Sequence, residues 1–442
     1  MIRRDALREY SRGSLWLLPT LSVIVALLLG VLLSQIDVGP GSPLAFQGTA
    51  DDARNLLIGI TSTMVTVIAL LLGLAVVALQ LSSTQFSPRL LRNFLRDRPN
   101  QIVLSVFVGT FSYAAGGLFE VGVSAGERVD AFPRLAVTVA VGLLFLSLAL
   151  LVFFADHLAH SLQVDHIMRV VERNTLPVIR HLPAADTIPP VPDGAIAVPA
   201  RSSGYVQTVH IDQLLATAVA QQVNVRLRVR VGEHIVAGTT LAWVWPAPPR
   251  TAAPAVTALA KPLDAAVRIG FERTLEQDPA LGFRQLVDAA CKALSPAVND
   301  PYTAVQAIEH LTVLFVEFAA RPRGAFVVHD PANAVTVAVP GRPLSEILAK
   351  VFGLLRRYGA GEPTVLQALL SLLSTVASTG APDPDLWGIL QQEADLLVRA
   401  AEREVAEPAD LAVIYAEAET LRRTLAARRS GISAHQATGS GE

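Results

Sequence analysis

Residues 55–80 read NLLIGITSTMVTVIALLLGLAVVALQ, a run without a single charge. It is longer than the roughly 20 apolar residues that carry an α-helix across the roughly 30 Å hydrocarbon core of a bilayer. Yet Gly59, Ser62, Thr66, Ala69, Gly73 and Gln80, with Thr84 just beyond, recur mostly at intervals of three or four. That spacing collects them on one face of a helix and leaves Ile, Leu and Val on the other. Two readings fit. Small residues let helices approach closely in lipid, with hydroxyls bonded to their own carbonyls one turn back. Alternatively, several copies bring the face to a shared axis and line a watery path.

Three further segments have the same length and polarity, at residues 14–34, 101–123 and 135–155. The first follows Arg3, Arg4 and Arg8 as a secretory leader does, but its apolar run is too long for one and residues 37–42 offer no small-residue cleavage pattern. None of the spans carries a charge at mid-depth, where insertion costs about 2.5–3.5 kcal/mol. A proton relay or carboxylate-coupled transporter is therefore disfavoured, and a passive pore or no pore remains. Orientation follows from arginine placement. Arg3, Arg4, Arg8 and Arg12 precede the first span and Arg89, Arg92, Arg96 and Arg98 lie between the second and third, whereas Arg54 and Arg128 sit among acids in the other two loops. Basic flanks stay in the cytoplasm. The expectation is a multi-pass protein of a bacterial inner membrane with both termini, and everything after the fourth span, inside the cell.

The bulk numbers agree with a chain in two solvents. Of 442 residues, 52% are hydrophobic and 17% charged, too apolar for a soluble protein and too mixed for one buried wholly in lipid. The net charge of −2 gives no bulk attraction for nucleic acid. The single cysteine, Cys291, excludes an internal disulfide and any multi-cysteine metal site, and its helical surroundings suit a small core residue.

Beyond Gln80 the sequence LSSTQFSPRLLRNFLRDRPNQ alternates Leu and Phe with Arg89, Arg92, Arg96 and Arg98. This is either an amphipathic segment in the headgroup region or a tight inner loop obeying the charge rule. Together with VFVGTFSYAAGGL in the third span and ALSPAVNDPYTA near residue 300, the STQFSPRLLRNFLRD run resembles a widespread bacterial family of predicted membrane proteins that carries the label of a domain of unknown function. The resemblance covers nearly the whole chain. It implies an inner-membrane protein with a soluble C-terminal half and transfers no catalytic residues.

After the fourth span, Asp156, His157, His160 and Asp165 have helix-compatible metal spacing, but without a second cluster a solvated helix is the simpler reading. HLPAADTIPPVPDG is an extended linker. VNVRLRVRV then alternates strictly, with Val223, Val225, Leu227, Val229 and Val231 on one face and Asn224, Arg226, Arg228 and Arg230 on the other. A solvated strand face explains these arginines more simply than a grip on phosphate or a lipid headgroup. SGYVQTVHI precedes it as a strand, DQLLATAVAQQ as a helix, and GEHIVAGTTLAWVW follows as turn and strand. The VGEHIVAGTTLA piece resembles the hairpin of biotin and lipoyl carrier modules but lacks their lysine, so no carried cofactor is expected.

Helices dominate thereafter, with AFVVHDPANAVTVAVP as a hairpin among them. In SPAVNDPYTA, Asp300 fits a helix N-cap and Pro301 the next position, while Ser295, Asn299 and Tyr302 complete either a turn or a ligand or subunit contact at a helix N-terminus. Glu309, His310 and Glu317 form no recognisable triad. No Walker loop, dinucleotide turn or nucleophile elbow occurs.

The expected fold class is thus a multi-pass α-helical membrane domain plus an α+β cytoplasmic region, a small β barrel-sandwich-like module followed by a mainly helical domain. Its boundaries are 1–160 for the spans, 161–193 for juxtamembrane helix and linker, 194–250 for the β module, 251–429 for the helical domain and 430–442 for a disordered tail. The leading functional expectation is a homo-oligomeric passive channel in the lipid bilayer. Ser62, Thr66, Gly73, Gln80 and Thr84 face its path, and Arg89, Arg92, Arg96 and Arg98 couple it to the cytoplasmic half. The competing expectation is a membrane-anchored sensor or scaffold that binds a cytosolic ligand or protein partner. No catalytic residues, metal ligands or nucleic-acid partner are expected.

Overall fold

The structure is a computed structural model, and it describes residues 16–36, 38–39, 41–85, 98–121, 132–161, 163–184, 186–248, 255–320, 324–381 and 384–439. The chain divides into two compact units, Met1–Ile167 and Met168–Glu442.

Among the described residues, the first unit contains four long helices: α1 (Leu17–Ser34), α2 (Ala50–Gln85), α3 (Arg98–Glu120) and α4 (Arg134–Ser161). All four are long and apolar enough to cross a membrane. The central one is α3, which packs against α1, α2 and α4. Its AAGG stretch makes this possible. A methyl group added at Gly116 would lie 3.0 Å from a Leu27 methyl, and one at Gly117 3.3 Å from a Leu57 methyl, the close approach that small residues allow between helices in lipid. Buried polar groups on α3 pair with α4: the Thr110 and Ser147 hydroxyls are 3.0 Å apart, and the Tyr113 hydroxyl donates to the Ala136 carbonyl at 3.0 Å. Arg134 at the start of α4 donates to the carbonyls of Phe46 and Gly48, at 2.7 and 3.1 Å, and lies over the Phe132 ring. It thereby ties the α1–α2 connection to α4.

The second unit is an α+β structure. Helix α5 (Val164–His181) leads into β1 (Ile196–Pro199), β2 (Gly204–Val209), α6 (Ile211–Gln221), β3 (Val223–Leu227), β4 (His234–Ile235) and β5 (Thr240–Pro246). Next come α7 (Val256–Ala266), β6 (Val267–Gly270), α8 (Pro279–Ala293) and α9 (Pro301–Ala319). The hairpin β7 (Phe326–Asp330) and β8 (Val335–Val339) follows, and the chain closes with α10 (Leu344–Gly359), α11 (Pro363–Thr379), α12 (Pro384–Glu404) and α13 (Pro408–Gly439). One sheet has the order β1-β5-β3-β8-β7, the other β4-β2-β6. Among the described residues, only the β3–β8 pairing is parallel.

Two features depart from the expected boundaries. Strands β6 and β8 come from beyond residue 250 yet complete the sheets, and Val337, Val339, Leu259 and Leu263 share one core with Val206, Leu214, Val225 and Val244. The β region is therefore not closed at residue 250. The last helix also runs to Gly439, through most of the stretch expected as a tail. Within α8–α12 the core is aromatic and aliphatic, with the Phe283 and Phe315 rings 4.7 Å apart and Trp387 buried.

Candidate functional site

Strand β3 buries Val223, Val225, Leu227 and the following Val229, as its alternation requires. Its polar residues form only a partly solvated face, with Arg228 exposed. Asn224 is buried and its side-chain carbonyl accepts the Thr336 N–H at 2.8 Å, joining β3 to β8. Arg226 donates to the Pro189 carbonyl at 2.9 Å, and Arg228 to that of Thr240 at 2.8 Å. Arg230 reaches Glu346 on α10. The expectation of a solvated arginine face holds at the exposed Arg228 and fails at Asn224 and Arg230, because the β7–β8 hairpin and α10, from about a hundred residues later, fold over those positions.

The chain turns immediately after Arg230. Gly232 has a φ of +81°, and any side chain there would collide with the Asp278 carboxylate, so glycine answers both demands. Asp278 itself is buried and bonded to Arg273, with Nη2 at 2.6 Å and Nε at 2.8 Å from the same oxygen. Burial pushes its carboxyl above the usual value of 3.8, against the opposing charges of Arg273 and Arg342.

These segments enclose a solvent-open cleft of about 850 Å³. Arg228, Arg230, Arg273, Arg284, Arg342 and Lys350 line it, with Glu233 and Glu346 as its only carboxylates. Behind the rim, Arg284 is bonded to Asp288 at 2.6 Å. Glu346 is the hub: Arg230, Arg342 and Lys350 all converge on its carboxylate, Lys350 at 2.6 Å. Burial works to raise its pKa, but the three cations outweigh that and hold it below the usual 4.5. The Nε–H of Arg342 is buried with no partner. A second cavity of about 580 Å³ adjoins the cleft and shares Arg230, Ala280 and Arg342 with it. Its walls are chiefly Val178, Leu182, Val209, Ile211, Val231, Phe318, Phe326 and Val339.

The residues singled out from sequence lie elsewhere. On α2, Ser62, Thr66, Gly73 and Gln80 are exposed, on the side away from the buried Leu57, Ile60, Met64 and Leu71. Thr66 donates to the Ser62 carbonyl at 3.2 Å, and Gly73 has no neighbouring atom within 4 Å of an added methyl. The small face is thus not what packs α2 within its own four-helix unit. The Thr84 side chain and residues Arg89, Arg92 and Arg96 lie outside the described residues, and Arg98 is the exposed first residue of α3.

Asp300 is a helix cap. It accepts the Thr303 N–H at 3.1 Å and the Thr303 hydroxyl at 2.6 Å, bonds that lower its pKa. Asn299 has a φ of +50° and donates its N–H to the Ser295 carbonyl at 2.9 Å, while the Ser295 hydroxyl donates to Lys292 at 2.7 Å. Tyr302 does not anchor the turn: it is 74% exposed. His310 bonds Glu172 at 2.5 Å and Glu317 bonds Arg180 at 3.1 Å, so both fasten α5 to α9. Cys291 is half-buried, its thiol pushed up to about 11 by burial and then by Asp288. Among the described residues, no group of three or more His, Cys, Asp or Glu could hold a metal ion.

Sequence reasoning missed the cleft because its cations come from four separated segments. Only the Arg228–Arg230 pair stood out, and it read more simply as a solvated strand. No solved structure matches the chain. Two similar proteins are the uncharacterized protein Mb1321c of Mycobacterium bovis and the uncharacterized protein Rv1290c of Mycobacterium tuberculosis. Each is 42% identical over 430 residues, spanning 94% of this chain and 81% of the relative. The model of the predicted membrane protein family DUF2254 matches residues 12–375, so the chain belongs to that family.

Proposed function

We propose that this protein is a multi-pass inner-membrane receptor whose second unit, on the cytoplasmic side with both termini, binds a small anionic ligand in the arginine-lined cleft. The observation that carries this reading is the excess of cations around one solvent-open cavity: six cationic side chains line it against Glu233 and Glu346 in the wall and Asp278 and Asp288 bonded to Arg273 and Arg284. A cavity of this size suits a small molecule, and guanidinium groups suit phosphate and carboxylate oxygens. The reading assigns no catalytic step, cofactor or nucleic-acid partner. Titration of pyrophosphate into the full-length protein in nanodiscs tests it by calorimetry. Saturable binding is expected, weakened tenfold to a hundredfold by Arg230→Gln, from the roughly 1.5–3 kcal/mol of a charge-assisted hydrogen bond. Absence of heat, or unchanged affinity in the variant, overturns it.

The exposed small face of α2 supports a second reading, a homo-oligomeric passive channel. Ser62, Thr66 and Gly73 lie opposite the side that packs α2 within its own unit, and in a bilayer such a face suits another copy of the chain or water better than acyl chains. Planar-bilayer recording from a verified oligomer tests this. Single-channel current altered by Thr66→Leu and Gly73→Leu is expected, and a silent bilayer or unaltered current rejects the pore.

A further inference from the structure

Two cavities sharing a wall pose a question that a simple anion site does not. Arg230 and Arg342 line both the cationic cleft and the adjoining chamber of about 580 Å³. On one side the guanidinium groups meet Lys350 and Arg273, and on the other the walls are Leu182, Ile211, Val231 and Phe326. Apolar walls left in water are costly, and a cavity of this volume lies in the range that encloses a small organic molecule.

We propose that the ligand is a water-soluble organic phosphate with an apolar body. The phosphate takes the place of the Glu346 carboxylate among Arg230, Arg342 and Lys350, and the body fills the chamber. The inference rests on the anion-receptor reading of the cleft and adds the second half of the ligand. Glu346 shows how the site holds an anion, since three cations already converge on one carboxylate. Two carboxylates line the chamber, and each has a cationic partner: Asp278 is buried against Arg273, and Glu276 lies 3.8 Å from Arg268. A cavity of about 580 Å³ suits one short chain or ring.

The test uses the full-length protein in phosphatidylcholine nanodiscs, with empty nanodiscs subtracting partition into lipid. Inorganic phosphate, hexyl phosphate and hexanol are titrated against the wild type, the variant Arg230→Gln/Arg342→Gln and the variant Leu182→Thr/Ile211→Thr. Hexyl phosphate is expected to bind at least tenfold more tightly than inorganic phosphate. The arginine variant should weaken both phosphates, and the chamber variant should remove the advantage of the hexyl chain while leaving inorganic phosphate unchanged. Equal, arginine-dependent binding of the two phosphates overturns this inference and leaves the receptor reading standing. No binding of either phosphate overturns both. Hexyl phosphate binding that survives the arginine variant overturns the inference as mere apolar uptake, and competition by phosphatidic acid in the nanodisc overturns the soluble source.

Discussion

At the scale of single residues, Asp300 and Glu346 show how the same side-chain type is used twice in one unit. Asp300 satisfies a backbone donor at the start of α9, a bond whose loss costs about 1 kcal/mol. Asp300→Ala should lower thermal stability by that amount and leave pyrophosphate affinity unchanged, as thermal unfolding and calorimetry on the same samples would show. Lost affinity would make SPAVNDPYTA a binding element instead. Glu346 is held below the usual 4.5 by its three cations. A depressed carboxylate contributes stability that is fully present above its unfolded value and lost as pH falls through the folded one. Glu346→Gln should therefore flatten the acid limb of the stability profile below pH 4.5. The same change frees three cations and should tighten pyrophosphate binding severalfold. Weaker binding would show that the carboxylate positions the cations instead of competing with the ligand.

Elements differ in how far they could be read in advance. Each span was legible because a bilayer demands a long uncharged run, and the alternation of β3 was legible because its valines had to be buried on one face. What buried Asn224 was the parallel partner β8, where Val225 meets Val337 and Asn224 accepts the Thr336 N–H, and what engaged Arg230 was Glu346 of α10. Local pattern carries no information about a pairing over that separation. The cleft was invisible for the same reason: Arg273, Arg284, Arg342 and Lys350 are unremarkable in their own segments and acquire meaning only when α8 and α10 face the turn at Gly232. The helices of the first unit allow a test by contrast. Gly117 of α3 sits against Leu57, whereas Gly73 of α2 faces outward. Gly117→Val should destabilise the four-helix unit by about 1–3 kcal/mol through overpacking, and Gly73→Leu should leave a single copy's stability unchanged. Comparable losses from both, measured by unfolding in detergent, would place the small face of α2 inside the subunit's packing.

For the molecule as a whole, four apolar helices precede a second unit that holds the cationic cleft. The four spans contribute no charge at mid-depth, while the six cations of the cleft lie within Met168–Glu442. Hydrogen exchange of the full-length protein in nanodiscs, with and without saturating pyrophosphate, tests that assignment most directly. Added protection is predicted in residues 228–233, 273–287 and 342–354 together, and nowhere in α1 to α4. Unchanged exchange in all three segments, or protection confined to the spans, would contradict it.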